Sequence, residues 1–436
     1  MASLDDEPTT AGNYFVSNYP PFSAWGPQGL PAVEEVLDRA PTESVSLGLY
    51  VHLPFCRKRC DFCYFKVFTD KNAGEIRRYV EAVLREVDAY ARRPRFAGGR
   101  PSFVYFGGGT PSYLSVGELR HLFDGLRSAL PWDAAEEITF ECEPGTLQRP
   151  KIEALRELGV TRLSLGIENF DPGVLELGNR AHRAEEIFRA YAWAREVGFP
   201  QINVDLIAGM TGESDANWRA CIERTLELAP ESVTVYQMEV PFNTTLYERM
   251  KDGRAETAPI ADWSTKRRWM AEAFARLEQA GYTIGSAYTA CKDDSVRFLY
   301  RDALWTGADM LGVGVSSFSH VAGVHFQNES AYGPYVERCE RGELPLRRAL
   351  RMSGEERMIR EFVLQLKTGA LDPTGFERKF GVDVLERFAE PLQAHAAAGW
   401  LALEGGRLVA SRDGLLRIDR LLHDYFLPEH RDVRYT

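Results

Sequence analysis

From about residue 47 to residue 240 the chain alternates two hydrophobic periods that belong to different kinds of secondary structure. The β-rich runs LGLYVHL, SFVYF, EITFEC, RLSLGI, QINVDLI and SVTVYQM are separated by stretches such as EIRRYVEAVLREVDAYARR, ELRHLFDGLRSAL, AEEIFRAYAWAREVG and NWRACIERTLEL. In the second set apolar residues recur at three and four, the period of an amphipathic helix. Strand and helix in alternation, six strands in all, predict an α/β fold with parallel strands, closed as a barrel or left as an open sheet. Functional side chains are then expected at the C-terminal ends of the strands. No sequence repeat accompanies the alternation.

The rest of the chain breaks this rhythm. After the helical stretch STKRRWMAEAFARLEQAGY comes the Gly-rich TGADMLGVGVSSFSHVAGVHFQN, read as two strands joined by a turn. From about residue 353 the chain turns helical and charged, with two short β runs around Gly405 and Gly406 and then an amphipathic helix, a winged-helix-like pattern. Acidic and basic residues alternate there, so it reads as a packing module without DNA. The first 44 residues carry NYFVSNYPPFSAWGPQGLP, too aromatic for a solvated tail, and are expected to form an ordered arm over an apolar surface. Four segments follow: an arm (1–44), a barrel (45–282), a Gly-rich β extension (283–352) and a helical C-terminal domain (353–436). A composition of 44% apolar and 26% charged residues is that of a globular chain, and a net charge of −11 argues against a nucleic-acid-coating surface. The N-terminus lacks a signal-peptide layout and no apolar run reaches membrane length, so a cytoplasmic protein without membrane partners is expected.

Three of the seven cysteines, Cys56, Cys60 and Cys63, fall within LPFCRKRCDFCYF, just past the first strand. Such clustering reads as metal or redox chemistry rather than a disulfide framework. Tetrahedral zinc normally takes four protein ligands, and His52 is the only other nearby donor. A cubane [4Fe–4S] cluster held by three thiolates keeps one iron open for a small molecule. Arg57, Lys58 and Arg59 between the first two cysteines form either a solvated basic loop or a surface that offsets cluster charge and docks an acidic electron donor such as flavodoxin. His320 and His325 read either as structural histidines or as groups serving substrate or proton transfer, and Cys221, in a helical pattern, as core packing.

The CxxxCxxC spacing, with Phe62 before the third cysteine, resembles the signature of the radical SAM superfamily. Beyond it, YVHLPFC, FVYFGGGTPSYL, ITFECEPGTL, RLSLGIENF, INVDLIAGM and VYQMEVPFNT are similar to successive blocks of the oxygen-independent coproporphyrinogen III oxidase family and its heme-chaperone relatives. The resemblance implies a partial (β/α)6 barrel, a [4Fe–4S] cluster on Cys56, Cys60 and Cys63, and S-adenosylmethionine (SAM) cleaved to methionine and a 5′-deoxyadenosyl radical. It places Tyr50, Gly108, Gly109, Thr110, Glu141, Glu168, Arg180, Asp205 and Ile207 around SAM. The residues have their own logic. Glycines ending a strand let backbone approach a ligand, an acid on an apolar strand must find a partner, and an Arg fork suits a carboxylate. Glu168 departs from the family's usual Gln, which removes a donor and adds charge.

For the substrate, the resemblance implies a tetrapyrrole or another conjugated small molecule. The oxidases carry a further cysteine two residues past the third ligand, where this chain has Phe65. Heme chaperones also lack that cysteine but usually lack the aromatic arm. Methyl- and methylene-transferring relatives, cyclopropane formers among them, are thought to bind a second SAM, and Tyr64 and Phe65 suit a pocket wall for an sp² carbon. Oxidative decarboxylation, two-SAM transfer and heme binding are thus the three readings carried forward.

Overall fold

A computed structural model describes residues 9, 12, 14–42, 45–251, 260–431 and 433. Residues 1–8, 10–11, 13 and 43–44 of the expected arm lie outside the described residues. The six expected strands are all present: β1 (Leu47–Leu53), β2 (Phe103–Gly108), β3 (Glu137–Cys142), β4 (Arg162–Glu168), β5 (Gln201–Ala208) and β6 (Ser232–Gln237). They are followed by β7 (Thr283–Ile284), β8 (Thr289–Cys291), β9 (Asp309–Val313), β10 (Phe318–Val321), β11 (Val324–Asn328), β12 (Leu346–Arg351), β13 (Ala370–Leu371), β14 (Leu401–Glu404) and β15 (Arg407–Ala410). Among the described residues no helix is long and apolar enough to cross a membrane.

The chain divides into two compact units. One unit joins Trp25–Asp205 with Phe298–Arg351. Its strands run in the order β12-β11-β10-β9-β1-β2-β3-β4-β5. The pairs β1–β2, β2–β3, β3–β4 and β1–β9 are parallel. Helices Ala73–Ala91 and Val116–Ala129 supply the crossovers that parallel pairing requires. The first starts at a capping box, Asn72 with Glu75, where side chains satisfy N–H groups that have no intrahelical partner. The sequence reading missed helices Arg149–Glu157 and Pro172–Leu177, both too short to show a clear period.

Alternation along the strands decides which side chains meet the helices. Phe106 of β2 stacks on Phe123 of helix Val116–Ala129 at 4.4 Å, and Phe140 of β3 lies 5.4 Å from Phe106. That leaves Tyr105, Gly107, Thr139 and Glu141 on the opposite, inward face. The Gly-rich segment corrects one expectation, because it forms three strands rather than two. β9 extends the parallel sheet beside β1, whereas β10 and β11 form an antiparallel hairpin. A run rich in glycine and small residues hides strand boundaries that larger residues would mark. Within residues 1–44, Leu30–Leu37 is helical, with Val33, Val36 and Leu37 buried.

The other unit comprises Met1–Ala24, Leu206–Arg297 and Met352–Thr436. It contains the order β6-β8-β7 and a small antiparallel sheet β13-β15-β14. Gly405 and Gly406 join β14 to β15 with φ of 56° and 78°, the left-handed pair of a type I′ hairpin turn. The single amphipathic helix expected after it is broken at Arg417 into Arg412–Leu416 and Ile418–Leu422. In the same unit the described arm residues sit on aromatic surface. Tyr14 meets Trp263 at 4.7 Å, Phe15 meets Tyr288 at 5.2 Å, and Tyr19 is fully buried against Phe426.

Candidate active site

The cysteine loop leaves the C-terminal end of β1 and is closed at its base by backbone pairing. Cys56 N–H donates to Phe68 O (3.1 Å) and Phe68 N–H to Pro54 O (2.7 Å). Phe55 anchors this neck by packing edge-on against Tyr79 at 5.1 Å. Within the loop, Cys63 N–H donates to Cys60 O (3.1 Å), and Arg59 donates to Cys63 O (3.1 Å). Asn179, in the left-handed region at φ 57°, donates to Arg59 O at 2.8 Å. The three half-buried thiols are free cysteines, held on one constrained turn.

Glycines ending β2 bring backbone against this loop. Gly109 N–H donates to Leu53 O and Thr110 N–H to Phe55 O, at 2.9 and 2.8 Å. A Cβ on Gly109 would stand 3.0 Å from Cys56 Sγ, and one on Gly108, whose φ is 116°, within 2.9 Å of the His52 ring. Only glycine permits that approach. Thr110 Oγ1 donates to Cys56 Sγ at 3.3 Å. Arg180 Nη1 donates to Cys60 Sγ at 3.1 Å while its Nη2 donates to Gly166 O at 2.5 Å.

Below the loop the inward face is polar. Glu141 accepts from Tyr105 OH (2.6 Å) and Gly108 N–H (3.1 Å). Asp205 accepts from Ser164 Oγ (2.7 Å) and Asn203 Nδ2 (2.9 Å). Glu168 ends β4 at φ 65° with its carboxylate 3.5 Å from Arg180. Tyr50 OH lies 3.1 Å from His52 Nδ1. Burial pushes the His52 imidazole down to about 4, so it is neutral at neutral pH. Ile207 is half-buried on β5, two positions past Asp205 and therefore on the same strand face.

Sequence reasoning had not singled out Tyr105, Ser164, Asn203 or Arg162 on this face. For Ser164, Arg162 and Asn203 the signal was available, since each lies an even number of positions from Glu168 or Asp205 on its own strand, whereas Tyr105 lies three positions from Gly108, the chosen residue of β2. Glu143 was missed as well. It accepts from Arg57 at 3.1 Å and lies 3.2 Å from His182, and although burial opposes its charge, these neighbours hold its carboxyl below the usual range. Arg57 is thereby engaged with Glu143 and Ala181 O, whereas Lys58 is exposed. His320 and His325 lie away from these residues, buried and packed with tilted rings 4.7 Å apart, and His325 stacks on Trp25 (4.8 Å).

Comparison with known proteins decides what this arrangement belongs to. Residues 50–225 match the model of the Radical SAM superfamily and residues 352–417 that of the HemN C-terminal domain. The chain belongs to the radical SAM superfamily. Within it, the oxygen-independent coproporphyrinogen III oxidase of Escherichia coli is 28% identical over 386 residues, 86% of this chain and 80% of that protein. The heme chaperone HemW of Bacillus subtilis is 27% identical over 358 residues, covering 80% of this chain and 91% of its own. The solved structure of the Escherichia coli coproporphyrinogen III oxidase, HemN, superposes with a TM-score of 0.81 at 26% identity, over 94% of this chain and 96% of that one. This is an α/β radical SAM enzyme of the HemN type, with a helical C-terminal domain.

Radical SAM membership implies a [4Fe–4S] cluster and SAM, and the residues present fit both. Burial pushes the Cys56 thiol up to about 11 and, reinforced by Cys60, the Cys63 thiol up to about 12. Thiols this reluctant to ionise become thiolates when a metal centre supplies the positive charge. Burial opposes the charge of Arg180, but Cys60 and Glu168 outweigh it and keep the guanidinium charged beside the sulfurs. Burial also pushes Glu141 and Glu168 up to about 7 each. Between the ordinary carboxylate range and about 7 the folded ligand-free protein keeps a proton that the unfolded chain has released, so it loses stability as pH rises through that window. A cationic ligand such as SAM favours the ionised carboxylate. Its affinity is therefore expected to rise about 10-fold from about pH 6 to about pH 8 if one such group governs binding. Isothermal titration of wild type and Glu141→Gln at both pH values checks this, and equal pH dependence in the two proteins would remove Glu141 from that role.

Proposed function

We propose that the chain is a radical SAM oxidoreductase acting on a tetrapyrrole, by oxidative decarboxylation of propionate side chains as in oxygen-independent coproporphyrinogen III oxidase. The observation that carries this reading is likeness across nearly the full length, with 94% of this chain and 96% of the HemN chain superposed. In this reading Cys56, Cys60 and Cys63 hold the cluster. When bound, cluster and SAM supply a 5′-deoxyadenosyl radical that removes hydrogen from substrate. Net, a propionate loses one hydrogen atom to that radical, carbon dioxide leaves, a vinyl group remains, and one electron passes to a one-electron acceptor. The protein's own contribution is positional. Thr110 and Arg180 donate to two of the ligand sulfurs. Gly108 and Gly109 keep the approach to SAM open, and Tyr50, Glu141, Glu168 and Asp205 line its place. Exposed Lys58 suits contact with an acidic electron donor such as flavodoxin.

A second reading has a specific observation in its favour. Phe65 stands where oxidases carry their further cysteine, is 44% exposed, and stacks on Tyr64 at 4.5 Å. An aromatic pair in the cysteine loop with one ring exposed suits a flat sp² acceptor, as in two-SAM methyl or methylene transfer, cyclopropane formation included. Product analysis separates the readings. Anaerobically reconstituted protein is given SAM and dithionite, with and without coproporphyrinogen III. Deoxyadenosine that rises with the porphyrinogen, together with carbon dioxide and without S-adenosylhomocysteine, is the expected result. Deoxyadenosine and S-adenosylhomocysteine together would replace decarboxylation with transfer. Tight heme binding with neither product would indicate the chaperone activity named for the Bacillus relative.

A further inference from the structure

Arg162 opens β4 on the inward face, and the strand registers place it in one layer with Thr139, Tyr105 and Tyr50. That layer lies two residues along the strands from the one containing Glu141 and Ser164. Arg162 is only 2% exposed, yet its Nε and Nη1 make no hydrogen bond among the described residues. No ion pair within 4.0 Å involves it among those residues either. One face of its guanidinium lies 4.1 Å from the Phe298 ring centre, an arrangement that leaves the N–H edge free for an in-plane partner.

The nearby acids are already committed. Glu137 accepts from Leu299 N–H (2.8 Å), Tyr300 N–H (3.2 Å) and Thr139 Oγ1 (3.0 Å), which ties the Phe298–Tyr300 segment across this end of the sheet. Glu141 is occupied by Tyr105 and Gly108 and acts on Arg162 only at longer range. A buried guanidinium without a bonded anion is among the costliest arrangements in a folded chain, and it persists where a ligand completes it. Replacing a merely structural arginine would be expected to cost stability. Replacing one that awaits a ligand would not.

We propose that Arg162 is the substrate's carboxylate receptor, forking around one propionate-type carboxylate that enters the inward face. A monoanion suits the place, because Glu141, Glu168 and Asp205 on the same face would oppose a phosphate dianion. The identity of the carboxylate rests on the tetrapyrrole reading above; the presence of an anion site does not.

The test uses reconstituted protein and two variants, Arg162→Met and, should that fail to fold, Arg162→Lys, which keeps charge but loses the fork. Ligand-free Arg162→Met is expected to melt at or above the wild-type temperature. It should bind coproporphyrin III at least about 10-fold more weakly, while binding the coproporphyrin tetraamide and SAM as wild type does. Arg162→Lys is expected to show the same loss for the tetracarboxylate. A lower melting temperature with unchanged porphyrin affinity would make Arg162 a structural strut and overturn the proposal. So would loss of SAM affinity with porphyrin binding intact. If wild type binds no porphyrin at all, the tetrapyrrole reading falls, and thermal stabilisation by sodium propionate decides the anion site separately. Stabilisation of wild type but not of Arg162→Met upholds the site, and equal response in both removes it.

Discussion

Replacing any one of Cys56, Cys60 or Cys63 with alanine is expected to abolish the iron–sulfur cluster, with loss of nearly all bound iron and of reductive SAM cleavage. In the proposed reading these three thiolates would hold the cluster, and no other sulfur belongs to the same loop. Cys142 is buried on β3, its Sγ facing Phe140 O at 3.8 Å, and Cys221 is 2% exposed within helix Asp215–Leu228. Cys221→Ala is therefore the matched control. It removes a buried sulfur of similar size, costs about 1 kcal/mol of stability, and should leave iron content intact. Iron and sulfide per chain, with the visible absorbance of the reconstituted proteins, check the series. Equal iron in the loop variants and in Cys221→Ala would remove the ligand assignment and the radical chemistry built on it.

The strands and the cysteine motif were readable in the sequence, and the contacts around them were not. The six strands were legible because each is a short apolar run with β-branched or aromatic residues, and helices of clear period separate several of them. The CxxxCxxC spacing was legible because a cluster ligand set is local in sequence. What sequence could not give was the second sphere. That Arg180 reaches Cys60, that Tyr105 donates to Glu141, and that Arg162 is buried without an anion all depend on register between strands that are distant in the chain. Period-2 logic nominates every second residue of a strand but does not say which are partnered. The Gly-rich extension and the broken helix at Arg417 failed for a different reason. Short elements carry too few residues for a period to rise above chance, and tertiary packing decides them.

The anchoring of the N-terminal arm gives the largest stability effect. In the unit that includes Val16, Asp419 Oδ1 accepts from Val16 N–H at 2.9 Å and lies 2.8 Å from Lys367 Nζ, while Oδ2 accepts from the Tyr288 hydroxyl. The Lys367 side chain is fully buried, donates to Val16 O at 2.7 Å, and lies 3.9 Å from the Phe15 ring centre. Removing the aspartate charge leaves that ammonium in a low-dielectric interior without its counter-charge, so Asp419→Asn is expected to cost about 3–5 kcal/mol. Burial already disfavours the charged lysine, and Asp419 is the acid that most opposes this. The double variant Asp419→Asn/Lys367→Met removes both charges and should recover a large part of the loss, a coupling that independent sites would not give. Urea unfolding of the four proteins of this cycle measures the coupling, and limited proteolysis near residues 9–16 reports whether the arm is released first. If the double variant is as unstable as the sum of the two singles, the pair is not what holds the arm. Its hold would then rest on the aromatic contacts of Tyr14, Phe15 and Tyr19 instead.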